Sequence, residues 1–159
     1  MPNELTLSSE EDTLDLAIKL ERVLSPLVRA KGVLLGLYGE LGSGKTTFSR
    51  YLAKAFGAEV PVSSPTFVLS HEYPCRGGIV IEHWDLYRVR GLSPQEIFEE
   101  QSAGKLKLVE WIEKDKELLQ NADCVLSFSI VSETARRVII KAPEGPILQA
   151  FLGIVSSRA

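Results

Sequence analysis

Residues 39–46 of the chain read G-E-L-G-S-G-K-T, and the chemistry of that spacing is a cradle for nucleotide phosphates with a metal ligand attached. Gly39, Gly42 and Gly44 allow tight positive-φ conformations, so successive backbone N–H groups converge on a β-phosphate at a helix N-terminus. Lys45 supplies the cation for the terminal phosphates, and the Thr46 hydroxyl suits the Mg2+ that travels with a triphosphate. Glu40, Leu41 and Ser43 complete the loop and Thr47 follows it, so residues 39–47 are the candidate nucleotide-binding segment. A chance G-x4-G-K-[ST] arises in about one chain in 200 of this length. A Gly-rich turn that binds nothing is the bland alternative, and the flanking residues argue against it.

Such a loop must lie between a strand and a helix, in that order. V-L-L-G-L-Y at 33–38 is a near-continuous apolar run of the kind a central parallel strand shows. Downstream, Phe48, Tyr51, Leu52, Ala55 and Phe56 fall on one face of a helix that Gly57 closes.

A phosphate loop alone hydrolyses nothing; acidic groups must hold Mg2+ and a water, ideally at the C-terminal ends of strands. Asp85 follows I-V-I-E-H-W at 79–84, and Glu110 follows L-K-L-V at 106–109, each a carboxylate leaving an apolar strand. With Thr46, these two are the candidate metal ligands and catalytic acids. The alternative for either is a solvated acid or a helix cap. S-S-P-T at 63–66 could set a hydroxyl or N–H against the γ-phosphate, or be a simple turn. His71 and His83 receive no catalytic role, because a lone His beside aromatic residues is more often structural. Trp111 reads either as core or as packing over a functional loop or partner surface.

The rest of the chain supplies a frame. Residues 5–7 suggest an edge strand, and S-E-E-D at 9–12 a capping box. The helix it opens carries Leu16, Leu20, Val23, Leu24 and Leu27, with Pro26 predicting a kink or restart near Ser25. Lys31 and Gly32 turn the chain into the strand before the loop. Pro61 and Pro65 bracket a rigid loop. Strand-like segments at 66–73 and 79–84, joined by a turn at 74–78, predict an antiparallel hairpin. Then come a helix at 93–100, a strand at 106–111, a helix at 113–120, strands at 124–131 and 136–142, a helix at 147–155 and a loose tail at 156–159. The expected fold is α/β of the P-loop NTPase type, a mainly parallel sheet flanked by helices with an antiparallel margin, in one domain over 1–159.

Lys plus Arg total 18 against 21 Asp plus Glu, a net charge of −3. No basic block interrupts the sequence, so direct, charge-driven nucleic-acid binding is not expected. The start lacks a basic n-region and an apolar h-region, and no apolar stretch approaches the ~20 residues of a membrane span, which reads as cytosolic. Cys75 and Cys124 lack C-x-x-C spacing or a His pair, so neither a disulfide frame nor a zinc site is supported, and Cys124 reads as core.

Taken together, G-E-L-G-S-G-K-T at 39–46, S-P-T-F at 64–67, H-W-D-L-Y-R at 83–88 and V-E-W at 109–111 closely resemble the bacterial TsaE (YjeE) ATPase family. The resemblance covers nearly the whole chain and meets no departure at a motif position. It implies a small ATPase, using ATP and Mg2+, required for threonylcarbamoylation of adenosine 37 in tRNAs that read codons starting with A. Such a protein acts on a complex of TsaB-like and TsaD-like partners, the second of which performs the transfer. By position, the resemblance gives phosphate binding to Lys45 and the loop amides, and Mg2+ ligation to Thr46 and Glu110. Asp85 matches the Walker B-like acid, Thr66 a switch-like loop and Trp111 a functionally sensitive tryptophan. Thr13 and Arg136 match positions near the nucleotide.

Net negative charge suits action on a protein complex rather than on tRNA itself. With no obvious water-positioning Gln, hydrolysis should be slow until the transition-state charge is neutralised, for which Arg50, Arg88 and Arg136 are internal candidates. A small-metabolite kinase is the competing enzyme reading, but no Arg-rich lid is evident. A GTP-type switch would need N-K-x-D and D-x-x-G, which are absent.

Overall fold

The computed structural model describes residues 3–59, 70–89, 95–99 and 102–158. Among the described residues seven strands form one sheet in the order β1-β7-β6-β2-β5-β4-β3. They are β1 (Glu4–Leu7), β2 (Val33–Tyr38), β3 (Ser70–Pro74), β4 (Val80–Asp85), β5 (Lys105–Glu110), β6 (Cys124–Ile130) and β7 (Arg136–Lys141). The four central strands, β6, β2, β5 and β4, run parallel. Antiparallel pairing occurs at both margins, β3 against β4 on one side and β6, β7 and β1 on the other. The expected antiparallel margin is therefore two margins, because the short connections after β3 and β6 return the chain directly beside itself.

Helices α1 (Glu10–Lys31), α2 (Lys45–Ala55) and α4 (Pro146–Ser157) cover one face. Their buried Leu16, Leu20, Leu24, Phe48, Leu52 and Phe151 pack on Leu35, Leu37, Ile81, Leu108 and Leu126 of the strands. The other face is closed by α3 (Lys116–Asn121) and short 3-10 turns, which set Ile97, Ile112 and Leu118 against Leu34, Trp84, Val109 and Val125. Gly36 of β2 allows this approach, since a Cβ there would fall 2.4 Å from Ile112 Cδ1.

Several local expectations change. The helix does not restart at Pro26: α1 runs unbroken through it for 22 residues, because a proline removes one N–H bond while the buried stripe on both sides holds the axis. The capping box is half realised. Ser9 Oγ accepts from Asp12 N–H, but the Asp12 carboxylate accepts from Ser8 N–H at 2.8 Å. Within 95–99 there is only a 3-10 turn, Gln95–Phe98, where a helix over 93–100 was expected. The 113–120 helix is a 3-10 turn, Ile112–Lys114, followed by α3, since Asp115 stops the first and caps the second through Leu118 N–H. Trp111 lies beyond β5 rather than in it. Residues 156–157 continue α4 instead of forming a tail, and Arg158 is held by Asp12 and Asp15. Strand-like residues 66–69 lie outside the described residues.

Cys124 is core, and burial pushes its thiol up to about 12. At about pH 8.5 it is expected to resist alkylation in the folded protein and to react once denaturant is added, which a timed thiol titration measures. No helix among the described residues is long and apolar enough to cross a membrane.

Candidate functional site

The phosphate loop leaves β2 and enters α2 through Gly44, an N-cap at φ 108 with no side-chain cap of its own. A positive-φ glycine here presents the N-terminal N–H groups of α2 to a ligand instead of to a capping side chain. Gly39 is the tightest point: at φ 144, an added Cβ would sit 2.4 Å from the Phe128 carbonyl oxygen and 2.8 Å from Ser43 Oγ. Gly39→Ala is expected to destabilise the fold by about 1–3 kcal/mol, read as a lower urea midpoint.

Lys45 is buried beneath this loop. Its Nζ donates to the carbonyl oxygens of Gly39 and, at 2.9 Å, Glu40, and lies 4.1 Å from the centre of the Trp111 ring. Burial pulls the ammonium below the usual lysine range, against the opposing fields of Glu110, Glu113, Asp85 and Glu40. The next helical residue, Thr46, donates its hydroxyl to Glu110 Oε1 at 3.0 Å. Register places Asp85 beside Glu110 at the ends of β4 and β5. Both face the helix N-terminus, because strand alternation keeps Ile81, His83 and Asp85 on the α1–α2 face with Leu106, Leu108 and Glu110.

These groups line a cavity of about 1110 Å³, bounded by the loop, the start of α1 and the β6–β7 hairpin. Of the residues singled out in the sequence, Thr13, Leu41, Gly42, Ser43, Gly44, Lys45, Thr46, Thr47, Asp85, Glu110 and Arg136 line it. Gly39 and Glu40 do not; they serve through their carbonyl oxygens, and the Glu40 side chain points to solvent. Thr66 lies outside the described residues. Arg136 clasps the loop, donating from Nε to the Gly42 carbonyl at 3.1 Å and from Nη1 to the Ser132 carbonyl at 2.8 Å. Arg88 also lines the cavity, whereas Arg50 is exposed and does not. Trp111 is not core: it lines the cavity in a left-handed conformation at φ 60, with its ring 4.8 Å from that of Tyr87.

Other contributors escaped sequence reasoning. Ser8, Ser9 and Glu10 at the start of α1 and Glu133 and Thr134 in the hairpin complete the walls. Glu113 Oε2 accepts the Gly39 N–H at 3.2 Å. His83, read as structural, is fully buried with Nε2 2.5 Å from Glu110 Oε2. The usable signal was period-two spacing with Asp85, which puts His83 on the same sheet face.

The donor set fits a hard divalent cation next to phosphate: a hydroxyl and two carboxylates converge on a helix N-terminus. Among the described residues no group of three or more His, Cys, Asp or Glu forms a cage. Thr46, Glu110 and Asp85 could hold an ion that keeps water and phosphate oxygens, as Mg2+ does.

A model of the family described as Threonylcarbamoyl adenosine biosynthesis protein TsaE matches residues 7–139, a span from β1 to β7 that holds the loop and both acids. The chain belongs to the TsaE family. The tRNA threonylcarbamoyladenosine biosynthesis protein TsaE of Aquifex aeolicus is 41% identical over 139 residues, 86% of this chain and 94% of the relative. The protein of the same name from Rickettsia conorii is 44% identical over 119 residues, 72% of this chain and 63% of the relative. A crystal structure of YdiB from Bacillus subtilis superposes with a TM-score of 0.66 at 25% identity, over 98% of this chain and 94% of that one. The TsaE match thus covers the central strands, the loop and the cavity walls together, and its name places the chain in tRNA threonylcarbamoyladenosine biosynthesis.

Proposed function

We propose that this TsaE-family protein binds ATP with Mg2+, hydrolyses it slowly, and drives a TsaB/TsaD-like partner complex that threonylcarbamoylates adenosine 37 of tRNAs reading codons that start with A. It is the ATPase of that reaction, not the transferase. The observation that carries the reading is the 3.0 Å bond from Thr46 to Glu110, which joins a hydroxyl at the mouth of a phosphate loop to a strand-end carboxylate 64 residues away.

Each residue then has a physical task. The N–H groups at the start of α2 receive the β-phosphate, where the helix dipole favours negative charge. Lys45 turns from the loop carbonyls toward the terminal phosphates. Thr46, Glu110 and Asp85 would hold the ion, which would supply positive charge to offset that on the phosphate oxygens. Asp85 Oδ1 accepts from Tyr87 N–H at 2.9 Å, which fixes the turn leaving β4. The Trp111 ring, packed against Tyr87, covers the Lys45 ammonium. Thr66 is assigned to the γ-phosphate on its motif alone. Arg136, tied to the Gly42 carbonyl, holds the loop against the hairpin and neutralises phosphate charge.

Slow turnover follows from incomplete neutralisation. A loose phosphoryl transition state spreads charge over three oxygens, and an arginine finger, from within the chain or from a partner, is worth about 10³–10⁵ in rate. The cavity mouth is the place for a partner to complete the site.

The direct test is phosphate release from ATP with Mg2+ and no acceptor, with and without the partner complex. Hydrolysis that is Mg2+-dependent and faster with partners is expected; ADP formation only when a metabolite acceptor is present would make the protein a kinase. Arg136→Ala is expected to weaken ATP binding about tenfold, ~1.4 kcal/mol. Its unfolding midpoint should move little, since the guanidinium bonds lie at the surface. Titration with a fluorescent ATP analogue beside a urea melt separates the two effects.

A further inference from the structure

We propose that His83 is a positioning residue for the metal-binding carboxylate: its Nε2–H holds Glu110 Oε2 and thereby turns Oε1 onto the Thr46 hydroxyl. This rests on the magnesium-nucleotide reading of the site and adds to it a determinant on β4 that never touches the ligand.

The geometry has three parts. His83 Nε2 and Glu110 Oε2 are 2.5 Å apart, with side-chain exposures of 0% and 2%, so the contact is shielded from bulk solvent. The other carboxylate oxygen accepts from Thr46 at 3.0 Å. Glu110 is therefore held at both ends, by a ring on the neighbouring strand and by a hydroxyl on the helix that carries the phosphate loop. Without the ring, Oε2 would be a buried acceptor lacking a donor, and the carboxylate would rotate to find one.

The second ring nitrogen argues against a space-filling role. Among the described residues Nδ1 has no hydrogen-bond partner and is buried, and burying an unpaired polar atom costs free energy. A phenyl ring would fill the same volume against Tyr73, whose ring lies 6.2 Å away, without that cost. The polar contact that sets histidine apart from phenylalanine here is the one to Glu110. Outer groups that fix a ligand's orientation typically change metal affinity by 10–100-fold when removed.

Two variants separate positioning from packing. His83→Gln keeps a donor, because the glutamine amide nitrogen is as many bonds from Cα as Nε2; His83→Phe keeps the ring and loses the donor. The readout is the ratio of ATP affinity in Mg2+ to that in EDTA, by isothermal titration. For His83→Phe the ratio is expected to fall about tenfold or more while affinity in EDTA stays within about twofold; His83→Gln should recover most of it. In a Glu110→Ala background, His83→Phe should produce no further fall. Equal losses in Mg2+ and EDTA, a Gln variant no better than Phe, or additive effects with Glu110→Ala would each overturn the proposal. A parent protein whose ATP affinity ignores Mg2+ would instead sink the magnesium-nucleotide reading, and the positioning role with it. Nitrogen-15 NMR of the unsubstituted protein tests the contact without any variant: the proton is expected on Nε2, and a ring carrying it only on Nδ1 refutes the assignment.

Discussion

Lys45→Ala is expected to lower ATP affinity by at least about 100-fold, ~3 kcal/mol, which isothermal titration would record as loss of measurable binding. The ammonium is buried, bonded to the loop carbonyls of Gly39 and Glu40, and stacked 4.1 Å over Trp111. It is the cation nearest the start of α2, and nothing of comparable charge can replace it from within the loop. The fold should survive the change. Burial already disfavours the charged amine, so its removal relieves desolvation, which offsets part of the loss of its bonds to the Gly39 and Glu40 carbonyls. Cooperative unfolding close to the parent, together with lost binding, is the expected pair of results. Undiminished affinity would contradict the role given to the loop.

The second large effect is at Glu110. Glu110→Ala is expected to cut Mg2+-dependent hydrolysis by about 10²–10³-fold, measured with the partner complex present, because it removes a carboxylate that would hold the cation against the reacting phosphates. Affinity for ATP in EDTA should change far less, since the loop amides and Lys45 remain. The same substitution has a structural cost that the sequence did not announce. It leaves His83 Nε2 buried opposite a methyl group, at about 1–3 kcal/mol. Thermal unfolding should therefore show a lower Tm with the fold intact, and Glu110→Gln, which keeps an acceptor for the ring, should regain part of it. A Glu110→Ala protein that hydrolyses ATP like the parent would remove this residue from the mechanism.

Local chemistry was legible because it is local. The loop glycines, Lys45 and Thr46 are adjacent in the chain, and their spacing alone dictates a phosphate cradle. The apolar run at 33–38 and the stripe on Phe48, Leu52 and Phe56 identified β2 and α2 for the same reason. Strand exits pointed to Asp85 and Glu110, and pairing register set them side by side. Short or capped elements were harder. At 113–120 the periodicity predicted one helix, but the Asp115 side chain bonded to Leu118 N–H divides it. Pro26 suggested a break that tertiary packing overrode.

Sequence by itself determined the class of fold and proposed the ligand chemistry of the loop, since hydrophobic period and glycine spacing act within a dozen residues. Only the tertiary structure decided that His83 grips Glu110, that Trp111 covers Lys45 and that the Arg136 hairpin clasps Gly42. These contacts join residues 27 to 94 positions apart, and such distances close only when strand order and register bring the C-terminal ends of β2, β4, β5 and β6 to one side of the sheet. No local pattern encodes that meeting; the pairing of the strands does.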